Sequence, residues 1–160
     1  MHIKQADITH TGVLFSWVND LNIRSNAFNS AKINFSEHQC WFKRKLLSPN
    51  SMIFIGYEGE KAIGQVRFDK ERTNYFSVDI HIDPEQCRRG LGKRLLILTI
   101  RECYNSGLFS LDTSIEAIVF ESNTASEKLF KRSNFIQTKH EIISDIPCNV
   151  LVYNSKIHFV

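Results

Sequence analysis

The chain has 160 residues, 42% of them hydrophobic, which suits a single domain, residues 1–160, with a core of its own. Twenty Lys and Arg against seventeen Asp and Glu leave a net charge of +3, too small a surplus to argue for nucleic acid but compatible with an anionic cofactor or a nucleotide-linked substrate. Cys40, Cys87, Cys103 and Cys148 form no Cys-x-x-Cys pair or Cys/His cluster, so free thiols in a reducing compartment are expected and zinc is not. The first residues lack an apolar run and no stretch approaches the ~20 apolar residues of a membrane span. A cytoplasmic protein without signal peptide or membrane segment is expected.

His2 to Asp7 reads as a first strand, and Val13, Leu14, Trp17 and Val18 lie at helical spacing within Thr9–Asp20. Ile23 to Phe35 is polar and irregular. Ser36, with Gln39 three residues on, reads as the cap of a second helix that Ser48-Pro49-Asn50 stops. Met52–Glu58 and Ala62–Phe68 form an expected hairpin around Gly59, and residues 69–74 turn into the next strand. A helix from Leu91 to about Asn105 ends at Ser106-Gly107. Ile115–Phe120 reads as a strand, Asn123–Arg132 as a helix, and Phe135–Ile143 and Asn149–Phe159 as late strands. There are no repeats and no internal linker.

The most informative stretch runs from Ser77 to Ile97. Val78, Ile80 and Ile82 alternate with Ser77, Asp79 and His81, the period of a strand with one apolar face. Asp83-Pro84 ends it, and Gly90 and Gly92 precede a run (Lys93 to Leu98) that reads as a helix start. The first amides of a helix lack intrahelical partners and carry partial positive charge. Glycines let an anion come close to them, and Arg88, Arg89, Lys93 and Arg94 add attraction. A phosphate or pyrophosphate is the natural ligand; the alternative is a solvated basic turn. Leu95 stands where the dinucleotide and nucleoside-triphosphate loops need a glycine, so neither of those patterns fits.

Asp83-Pro84-Glu85-Gln86-Cys87-Arg88-Arg89-Gly90-Leu91-Gly92-Lys93-Arg94-Leu95-Leu96 resembles the acetyl-CoA pyrophosphate loop of the GNAT superfamily of N-acetyltransferases. Residues 119–135, with Asn123 before a helix containing Leu129-Phe130 and then Asn134-Phe135, are similar to that family's second motif. The resemblance covers most of the chain and is strongest over residues 75–135. It implies a layered α/β (α+β) GNAT fold, a mixed central sheet of six to seven strands flanked by about four helices, with acetyl-CoA as cosubstrate. It assigns Cys87, Arg88, Arg89, Gly90, Leu91, Gly92 and Lys93 to the pyrophosphate, mostly through their amides. Ile80 and Ile82 on the central strand, with Asn123, Ser126 and Phe130 on the second motif, go to the rest of the cofactor. Cys87 and Arg88 depart from the usual loop residues. Phe130 replaces the tyrosine that in many members protonates the departing thiolate. Asn134 replaces a glycine, and asparagine also tolerates the left-handed conformation expected there.

For the chemistry, Asp79 and His81 share the polar face of the central strand at i and i+2, where both can touch one ligand and one of them is expected to help deprotonate an acceptor amine. The alternative is a pair that only fixes packing. Segments with Trp17, Arg24, Asn29, Trp41 and Arg67 resemble GNAT enzymes that acetylate a nucleotide-linked amino sugar in nonulosonic (pseudaminic-type) acid biosynthesis, which makes these five residues candidate substrate contacts. Against that, Trp17 and Trp41 can be core residues and Arg67 with Asp69 a structural ion pair. The expected partner is thus a small-molecule amine, with no nucleic acid and no membrane; a homodimer is compatible with family habit. Acetylation of protein N-termini and a non-catalytic CoA-binding module are the competing readings, the second kept open by Phe130.

Overall fold

The computed structural model describes residues 1–155. Its centre is a seven-stranded mixed sheet in the order β1-β2-β3-β4-β5-β7-β6. The strands are β1 (His2–Gln5), β2 (Ser51–Glu58), β3 (Lys61–Arg72), β4 (Tyr75–Ile82), β5 (Ser114–Phe120), β6 (Ile136–Ile143) and β7 (Ile146–Asn154). The helices are α1 (Thr11–Val18), α2 (Leu21–Arg24), α3 (Phe35–Leu47), α4 (Leu91–Asn105) and α5 (Thr124–Arg132). The expected layered fold is therefore present, with one further short helix, α2, running into the start of the segment read as irregular. The last strand begins earlier than expected, and the part of the expectation beyond residue 155 lies outside the described residues.

Alternation decides which face of the sheet each helix covers. Phe54, Val66, Phe68 and Phe76 meet Leu95, Leu96 and Ile100 of α4 and Phe130 of α5 in the larger core cluster. Ile53 and Ile55, on the opposite face of β2, meet Leu14 and Trp17 of α1 and Phe42 of α3. In α3 the cap is Asn34, whose Oδ1 accepts from the Glu37 amide at 2.8 Å; Ser36, expected to cap it, instead donates to the same oxygen. The shift has a simple cause, since an asparagine two residues earlier already satisfies the free amide.

One feature of the sheet opens a site. β4 and β5 are parallel but pair only at Tyr75↔Ser114, Phe76↔Ile115 and Ser77↔Glu116. β4 stays paired with β3 as far as Gly64↔Ile82, and β5 with β7 as far as Phe120↔Cys148. Beyond Ser77 the two central strands part, and Val78–Ile82 present a strand edge without a partner strand in the middle of the sheet. Backbone groups on such an edge need hydrogen bonds from elsewhere.

Candidate active site

At the carboxyl end of β4, Asp83 turns the chain into a short 3₁₀ turn by accepting from the Glu85 amide at 3.1 Å. The loop then takes two left-handed residues, Arg88 (φ 65°) and Gly90 (φ 71°). Gly90 is the N-cap of α4 and supplies no capping side chain, so the first amides of this 15-residue helix remain open to an outside acceptor. Arg89 is anchored to Glu58 at 3.1 Å and Arg94 approaches the same carboxylate at 3.7 Å. Arg88 and Lys93 are exposed and have no ion-pair partner among the described residues, which leaves both cations available to a phosphate. Loop conformation, uncapped helix and free cations all fit the pyrophosphate of acetyl-CoA. Leu91 and Gly92 are buried and can contribute only backbone groups. A Cβ on Gly92 would fall 2.4 Å from Leu129 Cδ1, so this glycine serves the α4–α5 contact as well.

The splayed strands continue the same cleft. Ile80 and Ile82 turn their side chains to the α4 core, leaving the backbone edge of β4 as their offering to a pantetheine arm. Asn123 is spent as the cap of α5, where its Oδ1 accepts from the Ser126 amide at 3.1 Å. Asn134 has φ 68°, the left-handed turn that glycine would otherwise supply. Phe130, proposed as a cofactor contact, is 4% exposed and packs on Phe135 with ring centroids 5.0 Å apart; it belongs to the core because an apolar ring on the inner face of α5 has better company there. Tyr153 lies in that core and Tyr104 packs against it, so neither tyrosine reaches the polar face of β4.

On the opposite face of the sheet, toward α1 and α3, the polar residues of β3 and β4 meet in register: Gln65↔His81, Arg67↔Asp79 and Asp69↔Ser77. His81 Nε2 lies 3.5 Å from Asp79 Oδ1, and Arg67 Nη2 lies 3.7 Å from Asp79 Oδ2. Gln65 Nε2 donates to Asp79 Oδ2 at 3.2 Å. Arg67 also donates through Nε to Asp69 at 2.8 Å, while Lys45 Nζ from α3 holds the other Asp69 oxygen at 2.7 Å. The Arg67 guanidinium sits 5.3 Å from the Trp41 ring centroid. Burial pushes the Asp79 carboxyl up, but the His81 and Arg67 charges outweigh it and hold the group below the usual carboxylate range. Asp69 is likewise held low, burial being overcome by Lys45 and Arg67. Both acids are thus anions across the neutral range.

Two expected substrate contacts change role. Trp17 is 4% exposed inside the α1–α3 core, where the helical spacing of its apolar face puts it. Asn29 is exposed and its Oδ1 accepts from the Ala31 amide at 3.0 Å, closing its own loop. Trp41 and Arg67 do come together, as just described. Arg24 is half-buried, and its Nε is buried without a hydrogen-bond partner. The segment that follows it brings Phe28 edge-on to Phe120 at the end of β5 that has parted from β4, with centroids 5.0 Å apart. Partial desolvation and the charges of Asp20 and Asp83 hold the Cys87 thiol above its ordinary value. Gln65 and Lys45 are the site residues that sequence reasoning missed. Their signal was present for Gln65, which lies two residues before Arg67 on one strand face; nothing local marked Lys45.

Residues 17–135 match the family model described as Acetyltransferase (GNAT) family. Among solved structures, spermidine N-acetyltransferase from Vibrio cholerae in complex with CoA and spermine superposes with a TM-score of 0.85 at 14% identity, covering 97% of this chain and 95% of that one. AAC(6')-Ib in complex with paromomycin and acetyl-CoA gives 0.80 at 15% identity, covering 96% and 93%. A putative acetyltransferase from Salmonella typhimurium with its cofactor acetyl-CoA gives 0.77 at 16% identity, covering 99% and 96%. No curated protein sequence matches the chain. At these identities the structural likeness speaks for the fold. With the match over most of its length, this chain belongs to the GNAT family of acetyltransferases.

Proposed function

We propose that the chain transfers the acetyl group of acetyl-CoA to the amino group of a nucleotide-linked amino-deoxysugar. The observation that carries the acceptor class is the charge balance on the α1–α3 side of the sheet. Asp69 and Asp79 are already matched by Lys45, Arg67 and His81, while Arg24 has no acidic partner among the described residues. A polycation such as spermine or an aminoglycoside needs surplus acid, which the matched Asp69 and Asp79 do not supply. A sugar nucleotide instead brings phosphates for Arg24 and hydroxyls for the carboxylates, and Trp41 offers an aromatic surface partly covered by Arg67.

Acetyl-CoA supplies the activated acetyl thioester. The chain's own residues do the rest. Amides of the loop at 87–93 and the cations Arg88 and Lys93 hold the pyrophosphate. The open edge of β4 receives the pantetheine amides, and its next donor polarises the acetyl carbonyl. Asp79, kept anionic by its neighbours, attracts and orients the acceptor ammonium, and the Asp79–His81 pair takes the proton that must leave before the nitrogen can attack. Tyr104 and Tyr153 belong to the core side of the sheet, so Ser126 and solvent remain to protonate the thiolate.

Thiol release from acetyl-CoA should be measured against UDP-linked 4-amino-4,6-dideoxysugars, spermidine, aminoglycosides and basic peptides with free N-termini. The expected result is turnover on a sugar nucleotide alone. Turnover on spermidine or an aminoglycoside with none on any sugar nucleotide would overturn the acceptor assignment.

A further inference from the structure

Arg67 is held on three sides and leaves its fork unused. Its Nε donates to Asp69 Oδ2 at 2.8 Å, and Lys45 Nζ, 2.7 Å from Oδ1, fixes that carboxylate from α3. The guanidinium lies 5.3 Å from the centroid of the Trp41 ring. Its Nη2 stands 3.7 Å from Asp79 Oδ2, beyond hydrogen-bond length, and neither Nη donates a hydrogen bond to a described residue. Neither is shut away from solvent, and the side chain is 21% exposed. A guanidinium carries five N–H donors in one rigid plane, and only one is spent here. The β3–β4 register sets this open fork beside Asp79, whose Oδ2 accepts from Gln65 at 3.2 Å and whose Oδ1 lies 3.5 Å from His81 Nε2.

We infer that Arg67 reads a hydroxyl on the carbon next to the amine-bearing carbon, so that the acceptors are 1,2-amino alcohols. The inference rests on the acceptor site proposed above and names the group beside the reacting amine. In the gauche conformer of such an acceptor the nitrogen and oxygen stand about 3 Å apart. Hydrogen bonds of ~2.9 Å, nitrogen to Asp79 and oxygen to Arg67, then close a four-atom ring over the 3.7 Å between Oδ2 and Nη2. The neighbouring charges decide which oxygen it is. A carboxylate or phosphate at that point would be a third anion beside Asp69 and Asp79, both already ionised. A hydroxyl adds no charge, accepts from the fork and keeps a proton to donate to a carboxylate. An amine without that oxygen leaves the fork unfilled. Because Asp69, Lys45 and Trp41 fix the guanidinium before any ligand arrives, little freedom is lost when the hydroxyl binds.

The test uses the full chain and two matched pairs of acceptors, with thiol release from acetyl-CoA as the readout. One pair is a UDP-linked 4-amino-4,6-dideoxysugar and the same compound without its 3-hydroxyl. The other is cis-2-aminocyclohexanol and cyclohexylamine, which carry no phosphate. Within each pair the hydroxylated member is expected to have the higher kcat/KM, by ~10²-fold or more for a site built around that oxygen. Arg67→Gln is expected to shrink this ratio ~10-fold or more, chiefly by raising KM for the hydroxylated member. Arg67→Lys keeps the charge but has no fork, and should lose most of the ratio too. A merely structural role would lower both members of a pair alike and leave the ratio standing. Melting curves establish that both variants fold. A ratio near one in the unaltered chain overturns the inference, as does a ratio that survives either variant, or no turnover on either pair. Discrimination within the cyclohexyl pair, with no turnover on the sugar nucleotides, would support the inference and strike the nucleotide-sugar reading instead.

Discussion

Gln65 and His81 are partners across the β3–β4 ladder, and the Gln65 amide nitrogen lies 3.4 Å from His81 Nδ1 and 3.2 Å from Asp79 Oδ2. The third side of the triangle is the 3.5 Å between His81 Nε2 and Asp79 Oδ1. Gln65 is 3% exposed, so its amide is shielded from competing water. One buried amide thereby contacts both members of the proposed acid–base pair.

Removing either member should therefore act on the chemical step. Asp79→Asn and His81→Ala are each expected to lower kcat by ~10²–10⁴, the usual range for a positioned acid–base group. The double variant should be little worse than the weaker single one if they work as a unit. Gln65→Ala should lower kcat by ~10-fold and move the acidic limb of the pH profile, because it disturbs orientation without touching the acceptor. Steady-state kinetics of the four variants check this, and full turnover in both single variants at 79 and 81 would remove the pair from the mechanism.

Gly64 faces the same strand. A Cβ there would stand 2.6 Å from the His81 carbonyl oxygen and 3.2 Å from Ile82 Cα, both backbone atoms that cannot rotate away. Gly64→Ala should cost ~1–3 kcal/mol in urea unfolding and depress kcat by displacing His81. Gly92→Ala meets only the end of the flexible Leu129 side chain and should cost less.

The cofactor loop contains a non-glycine residue in a glycine conformation, Arg88 at φ 65°. Arg88→Gly should raise stability by up to ~1 kcal/mol through relief of this strain, offset in part by the greater freedom of glycine in the unfolded chain. The same change should raise the KM for acetyl-CoA through loss of the cation. Opposite signs in the two measurements are the expected signature.

His38 is 3% exposed among Phe15, Trp41 and Phe42, and burial lowers its pKa, with a bond to the Thr11 backbone opposing that more weakly. Below the ordinary histidine value the unfolded chain binds a proton that the folded chain refuses. Stability is therefore fully present above about pH 6.5 and falls as pH drops from there, by at most ~1.4 kcal/mol per pH unit from this group. His38→Phe should flatten the decline between pH 7 and pH 5 in thermal melts. An unchanged slope would assign the acid sensitivity elsewhere.

Much of the molecule was legible in the order of its residues. Alternation at Val78, Ile80 and Ile82, the glycines at 90 and 92, and the break at Ser106-Gly107 are local features, and α4 spans Leu91–Asn105 as the sequence predicts. Left-handed Asn134 was also readable, because its tolerance for positive φ is a property of the side chain itself. Tertiary structure alone decided where β4 and β5 part, since pairing between strands that lie far apart in the chain leaves no local trace. It also buried Trp17 and Phe130, which periodicity marks as apolar-facing without saying whether they face a ligand or a core. Lys45 joins Asp69 from a helix 24 positions away, and Gln65 meets His81 through strand register. Local chemistry thus determined the elements and the phosphate loop. The proposed acceptor site had to wait for the fold, because its charge balance is a sum over residues brought together only by packing.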